Sequence, residues 1–451
     1  MRAPADAPAP AEPEAGRGER ALFILSLAGL AVLAFLAGTI VMRAGLFPAP
    51  QIDRAYRAAV AWKDSLTGYR DVYATDLWYP ARRDDTGVTV LEPEGATGGP
   101  TLYTSGHAPA AFLIDREGRV LHEWRRAFGT VWPEGESPIA DPQPDSHVFF
   151  RMARAFPNGD LLALYEAAGD TPYGYGLVKL DRNAEVLWAY PGRAHHQFDI
   201  APDGRIFALT HGIFDDELDY LGHLERPRLE DELVVLTPDG EETARFRLLT
   251  ALADSPYRQM IYTLAGFALG DPLHANAVEY VDADRAARFA FAEDGDVLLS
   301  FRELHALAVL DPESGAITWA LRGPWIGQHD PDILDNGDIL LFDNFGNYDT
   351  ASGFSRVIEI DPRTAGIVWQ YAGTPDAPFV SRIRSDQQRL PDGNTLITES
   401  NGGRLLEVTR DGRIVWEFVN PVRGGENDAQ IPVIAWAERY EPGLLGFLDT
   451  P

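Results

Sequence analysis

Residues 357–369 read VIEIDPRTAGIVW and residues 405–416 read LLEVTRDGRIVW: an apolar run, a short polar turn containing Asp and Gly, and a second apolar run that closes on Trp369 or Trp416. Two apolar runs joined by such a turn form a β-hairpin. Four further copies lie upstream and end at Trp124, Trp188, Phe246 and Trp319. Trp319, Trp369 and Trp416 recur at intervals of 50 and 47 residues, so the unit is a repeat. Between the copies stands a second hairpin, an Asn-Gly or Asp-Gly turn before an apolar strand: PNGDLLAL (157–164), PDGRIFAL (202–209), EDGDVLLS (293–300), DNGDILLF (335–342) and PDGNTLIT (391–398). Two alternating hairpins make four strands per repeat, the blade of a β-propeller. Six outer hairpins predict six blades. Only five inner hairpins are visible, so the extended segments near Gly87–Leu91 and Ile431–Tyr440 are expected to supply the missing pair and close the ring. The six terminal aromatics are expected to pack between blades. The extra length between Gly204 and Gly295 falls in Asp215–Glu232 and Leu249–Asp284, which read as loop insertions, with Asp215–Asp219 and Glu230–Glu232 as a solvated acidic loop.

The chain has 451 residues, 45% hydrophobic and 24% charged, the composition of a packed protein. Its net charge of −29 would repel a phosphate backbone, which excludes nucleic acid as a partner. With no cysteine there is no disulfide, no thiolate-bound metal and no thiol nucleophile, so any chemistry falls to His, Arg, Asp, Glu, Ser, Thr or Tyr. Ala21–Met42 carries no charge and is long enough to cross a bilayer as a helix. It exceeds the apolar region of a cleavable signal peptide and reads as an uncleaved anchor. Arg17 and Arg20 precede it while Arg43, Arg54, Arg57 and Lys63 follow, so charge does not choose its orientation. The expected organisation is a disordered tail (1–20), a transmembrane anchor helix (21–42), a membrane-proximal spacer (43–85) and the propeller (86–451). Within the spacer Ile52, Tyr56, Ala59 and Trp62 recur at steps of three or four and predict a short amphipathic helix.

In a hairpin, residues equally far from the turn are expected to face each other at the open end. Eight residues before the turn glycines stand Arg151, His196, His329 and Ser385; seven after them stand Glu166, His211, Arg302, Asn344 and Ser400. The innermost strands of a propeller line one channel, so these polar positions converge. His196 and His329 sit at the same offset in AHHQFDIAPDG and GQHDPDILDNG, and DPLHANAVEYV puts His274 at the matching strand start. A single histidine there would read as channel lining; three with Arg302, and with Asn276 alongside, read as a site. Imidazole serves as nucleophile or base, and a guanidinium fork suits a tetrahedral oxyanion. Three histidines also suit zinc or copper, but the arginine repels a cation, so no metal is expected.

At these residues the chain resembles the PAPS-independent bacterial arylsulfotransferases, six-bladed propellers that move a sulfuryl group from a phenyl sulfate to a phenol. The similarity spans most of residues 86–440: the entry GVTVLEP with FLIDREGRVLHEW, the hairpin with His195 and His196, the LHAN strand, SFRELHALAVLD, and QHDPDILDNGDILLFDNFG, the most specific. The resemblance implies that His329 is transiently sulfurylated, that His196, His274 and Arg302 bind the sulfuryl oxygens and the leaving phenolate, and that Asn276 is a supporting polar residue. With it His195, beside His196, and Asn344, at the offset seven after a turn glycine, are expected to assist in binding substrate. It implies ping-pong transfer from an aryl sulfate donor to a phenolic acceptor with no cofactor, by a single-pass protein of the inner membrane whose propeller faces the periplasm. A homodimer or a membrane-complex partner stays open, as do donor and acceptor identity. The cysteines found in some members are absent. Two other classes compete. DPESGAITW and DPRTAGIVW look like the tryptophan-docking motif of PQQ quinoproteins, which have eight blades and no such histidine set, and a tethered scaffold propeller would leave the three histidines apart.

Overall fold

The computed structural model describes residues 15–44, 46–49, 51–52, 71–132, 136–347 and 353–449. The chain divides into two compact units, residues 1–70 and 71–451. Within the first, an α-helix spans Ala15–Arg43, so positions 15–20, expected as tail, are helical. Its stretch Gly18–Arg43 has 26 residues of mean hydropathy 2.5 at its apolar window, none of that window buried. At about 1.5 Å per residue it exceeds a ~30 Å hydrocarbon core, as a membrane anchor or a signal sequence does. Residues 1–14 of the tail and most of the amphipathic helix expected around Tyr56, Ala59 and Trp62 lie outside the described residues.

The second unit is all-β and forms a six-bladed propeller of antiparallel sheets. Blade 2 runs Val148–Ala155, Leu161–Ala167, Gly174–Leu180, Val186–Tyr190 from the inside outward. Blades 3 to 6 follow the same plan with inner strands Ala194–Ile200, Ala275–Tyr280, His329–Ile333 and Asp386–Arg389. The ring closes differently from the expectation. Ile434–Arg439 is indeed the inner strand of blade 1, but it pairs with Thr101–Ser105, while Gly87–Leu91 adds a fifth strand to the outer edge of blade 6 beside Ile414–Val419. Both termini of the propeller are thereby tied into sheets, which covers one edge. A short strand of the expected spacer, Trp78–Pro80, pairs with Gln430–Pro432.

Asn-Gly and Asp-Gly turns work here because glycine accepts positive φ: Gly337 sits at φ 82, and a Cβ there would come within 2.4 Å of the Arg288 carbonyl oxygen. The terminal aromatics staple neighbouring blades. The indole N–H of Trp124 donates to Gly159 O at 2.9 Å, that of Trp369 to Arg410 O at 2.8 Å and that of Trp416 to Arg116 O at 2.8 Å, each a carbonyl in a turn of the next blade.

The inner strands present open edges to the channel, and each is capped by a side chain of the preceding blade. Ala155 N–H donates to the Tyr440 hydroxyl, Phe198 N–H to Met152 Sδ, Val278 N–H to Gln197 Oε1, Ile333 N–H to Glu279 Oε2, Gln387 N–H to Asp330 Oδ2 and Ala437 N–H to Asp386 Oδ2. Buried backbone donors need partners, so these caps complete the ring six times over.

Of the two insertions, Asp215–Asp219 is an exposed loop, but Glu230–Glu232 is not solvated: it lies inside the strand Arg228–Leu236, fully buried. Glu230 is neutralised by Arg228 and Arg247, which makes burial of its charge tolerable. The second insertion holds the helix Leu248–Ala253, short 3-10 turns and the inner strand of blade 4.

Candidate active site

Five of the six inner strands enter the channel through a bulge, while Asp386–Arg389 of blade 6 pairs in continuous register. Register shifts fall between Phe150 and Met152, Ala194 and Phe198, Ala275 and Ala277, His329 and Asp332, and Ile434 and Trp436. Positive φ accompanies them at His196 (56), His274 (47) and Asp330 (52). A bulge re-aims one side chain out of the sheet alternation, and such strained residues cluster at sites. The bulges also displace the facing pairs expected from turn offsets: Glu166 stands opposite Phe149, not Arg151, and His211 N–H donates to Arg193 O.

His196, His274, Arg302 and His329 line one cavity of about 270 Å³. The His196 ring centroid lies 5.2 Å from that of His274 and 6.3 Å from that of His329. Arg151, Glu166, Tyr173 and Arg384 share the cavity, with Phe149, Ala167, Ala168 and Ile383 as its apolar wall. Arg151 carried the same turn offset as His196 and His329, and Glu166 that of Arg302, a signal that could have selected them. Tyr173 and Arg384 have no repeat position, and only the fold brings them in. Arg384 reaches the cavity while bonded to Asp76 at 2.9 Å, across 308 positions of chain.

The three residues expected to assist in binding substrate stand in the wall behind the cavity. Asn344 Oδ1 is 2.8 Å from His329 Nδ1; Asn276 Nδ2 donates to Gln328 O at 2.8 Å; and His195 Nδ1 is 2.8 Å from His196 Nδ1. All three are buried.

The three cavity histidines divide electrostatically. Burial holds His329 well below the usual imidazole range, with the Arg302 and Arg151 guanidiniums adding to it. His196 is likewise held low, by burial and then by His195, His274 and Arg151. Burial pushes His274 the same way, but the Asp271 carboxylate, 2.5 Å from Nδ1, outweighs it and raises the group above its ordinary value. The cavity therefore holds two neutral imidazoles and a cationic one, together with the guanidinium of Arg302, which is also paired with Glu303.

Behind the cavity, His195, His211 and Asp231 offer ligand atoms that all lie within 4.8 Å of one another. They do not make a good cation site. Gly174 N–H donates to His211 Nε2 at 3.1 Å, so the proton of that neutral ring sits on Nδ1 and no lone pair is left for a metal. On the opposite side of the channel a larger cavity of about 910 Å³ is lined by Asp199, Glu279, Asp330 and Asp386, carboxylates already engaged as edge caps.

Residues 153–421 match the model of the family described as Arylsulfotransferase (ASST). No curated protein matches the chain. Among solved structures it is similar to a protein of unknown function from Bacteroides caccae, at 14% identity and TM-score 0.46 over 75% of this chain and 99% of that one. It is also similar to a streptogramin B lyase, at 12% identity and TM-score 0.40 over 82% and 100%, and to a virginiamycin B lyase from Staphylococcus aureus, at 12% and 0.34 over 60% and 69%. Likenesses this remote say nothing of activity.

Proposed function

Because the chain belongs to the arylsulfotransferase (ASST) family, we propose that it moves a sulfuryl group from an aryl sulfate to a phenolic acceptor through a sulfohistidine at His329. The observation that carries this reading is the fixed tautomer of His329. The Asn344 amide nitrogen donates to Ser381 O at 2.9 Å and Arg384 O at 3.1 Å, which turns its oxygen toward His329. His329 Nδ1 thus faces two acceptors, Asn344 Oδ1 and Gly327 O, and must carry the proton. The lone pair is left on Nε2 of a ring whose other nitrogen is fully engaged.

In the first half-reaction Nε2 attacks sulfur, the N–S bond forms, and the S–O bond to the aryl group breaks with its electron pair leaving on the phenolate. Arg302 and the cationic His274 supply fixed positive charge where the sulfuryl oxygens and phenolate gain negative charge. In the second half-reaction the acceptor oxygen attacks sulfur, the N–S pair returns to Nε2, and the acceptor proton leaves to a base. Phe149, Ile383, Ala167 and Ala168 form the face against which an aryl ring would lie. A scaffold role would not require three histidines and an arginine around one cavity, and their shared cavity supports the enzymatic reading. The same reading places the propeller on the periplasmic side of the inner membrane, with the N-terminal helix as its anchor.

The test is protein quenched after mixing with 4-nitrophenyl sulfate and no acceptor. One added sulfuryl group on the peptide containing His329 is expected, and it should disappear on adding phenol. Donor consumed while that peptide stays unmodified would sink the sulfohistidine.

A further inference from the structure

A ping-pong exchange between two phenols has a proton to place. The leaving phenolate needs one before the acceptor has arrived, and the acceptor gives one up after the first phenol has gone. His196 is the neutral imidazole positioned to handle it, yet its surroundings already hold His274 as a cation together with Arg151 and Arg302, and a second imidazolium there is strongly disfavoured.

Behind His196 runs a buried file of groups. His195 Nδ1 lies 2.8 Å from His196 Nδ1, and His195 Nε2 lies 3.4 Å from Asp231 Oδ1. Neither of those last two atoms has a hydrogen-bond partner among the described residues, although His195 is 0% and Asp231 1% exposed. Two buried polar atoms facing each other without other partners are costly unless a proton lies between them. Asp231 is fixed by Ala275 N–H, which donates to Oδ2 at 2.6 Å, and His195 by stacking on His211 with centroids 4.3 Å apart. Asp231 stands directly across the sheet from His211, so the file rests on the rigid middle of blade 3. The Thr210 carbonyl faces His195, while Asp271 and Glu230 lie near Asp231.

We propose that Asp231 and His195 are positioning residues that store, behind His196, the proton exchanged between the two phenols. The proposal rests on the sulfuryl-transfer reading above. In the loaded state Asp231 is a carboxylic acid, His195 carries its proton on Nδ1, and His196 carries its proton on Nε2, toward the cavity. As the S–O bond breaks, the Nε2 proton passes to the phenolate, the Nδ1 proton of His195 passes to His196 Nδ1, and the Asp231 proton passes to His195 Nε2. Both rings end neutral with swapped tautomers and Asp231 ends as carboxylate. The acceptor phenol reverses every transfer when its oxygen attacks sulfur. No imidazolium forms at any point. Burial, with the nearby Asp271 carboxylate, raises Asp231 well above the usual carboxylate range, which favours the protonated form. The 3.4 Å separation is that of a resting site, where catalytic contacts are often long.

The test compares two donors. The 4-nitrophenolate ion leaves without needing a proton, whereas phenolate, with a parent pKa of about 10, needs one. Asp231→Asn, which cannot store the proton, should slow cleavage of phenyl sulfate on the order of 10²-fold and cleavage of 4-nitrophenyl sulfate far less. His195→Gln should show the same steepened dependence on leaving-group pKa. Equal losses for both donors would mean a structural role only, and no loss would remove the file from the mechanism; either outcome overturns the proposal. Should the variants not fold, rates of the unaltered protein with phenyl sulfate in mixed H₂O and D₂O decide: a bowed dependence on deuterium content supports several protons moving together, and a straight line overturns it. If the unaltered protein cleaves neither donor, the sulfuryl-transfer reading itself fails and the relay with it.

Discussion

Asn344 Oδ1 and His329 Nδ1 lie 2.8 Å apart, and the amide that makes this contact is locked from behind by the carbonyls of Ser381 and Arg384. Asn344 belongs to the blade of His329, while both carbonyls belong to the loop that enters blade 6. The orientation of His329 is thus set by the junction of two blades, and on the proposed sulfohistidine mechanism Asn344 acts through His329. Asn344→Ala is expected to lower kcat for 4-nitrophenyl sulfate about 10–100-fold with little change in KM, as loss of an orienting partner does. Steady-state kinetics check this; a rise in KM at constant kcat would return Asn344 to substrate binding.

On the proposed mechanism the nucleophile is single and the positive groups are several. His329→Ala should therefore abolish turnover, whereas His274→Ala or Arg302→Ala should leave activity lowered by about 10²–10³, the usual cost of one oxyanion donor. Nitrophenolate release measured over hours distinguishes slow turnover from none.

The opposed shifts of His274 and His329 set the pH profile. His329 stays neutral well below pH 6.5, so activity should persist into mild acid, and it should fall as pH rises through the raised value of His274, which then loses its charge. The matching stability term has a definite sign. A histidine held above its unfolded value stabilises fully below about pH 6.5, and that stabilisation is lost as pH climbs through the folded value. His274→Gln should remove the alkaline limb of kcat; an unchanged limb would assign it to another group.

Asp332, on the inner strand of blade 5, is raised well above the usual carboxylate range by burial and by the neighbouring Asp330 and Glu279. Its proton is held more tightly in the folded chain than in the unfolded one, so stability is full below its unfolded value and declines as pH rises toward the folded value. Asp332→Asn mimics the protonated form and should raise Tm at pH 7.5, by about 2–4 °C per kcal/mol gained. The gain should vanish near pH 4; thermal melts at both pH values check it.

A reporter active only outside the cytoplasm, fused after Pro451, should be active if the N-terminal helix is an anchor and the propeller is periplasmic. Activity of a cytoplasm-only reporter at the same position would reverse the orientation.

The chain by itself determined the six-fold repeat, because hairpin turns and strand alternation are local: Asn-Gly beside alternating apolar residues forms the same hairpin wherever it falls. It also pointed His196, His274, Arg302 and His329 to one end of the channel, where they line one cavity, since matching offsets from equivalent turns, or for His274 the matching strand start, survive the ring's symmetry. What it could not determine depends on contacts across blades. The bulges at Arg151, His196, Asn276 and Asp330 shift the facing residues, and a bulge answers to its neighbours more than to its own composition. Ring closure put Gly87–Leu91 on an outer edge because that edge, not the inner one, was left unpaired. Glu230, Asp231 and Glu232 read as a solvated acidic run until the fold supplied arginines and backbone donors to satisfy them. Which histidine is cationic, which is neutral and which nitrogen carries the proton follow from Asp271, Asn344 and burial: Asp271 is only three residues from His274 and Asn344 lies in the hairpin of His329, but burial and the Ser381 and Arg384 carbonyls that orient Asn344 arrive only when the blades pack together.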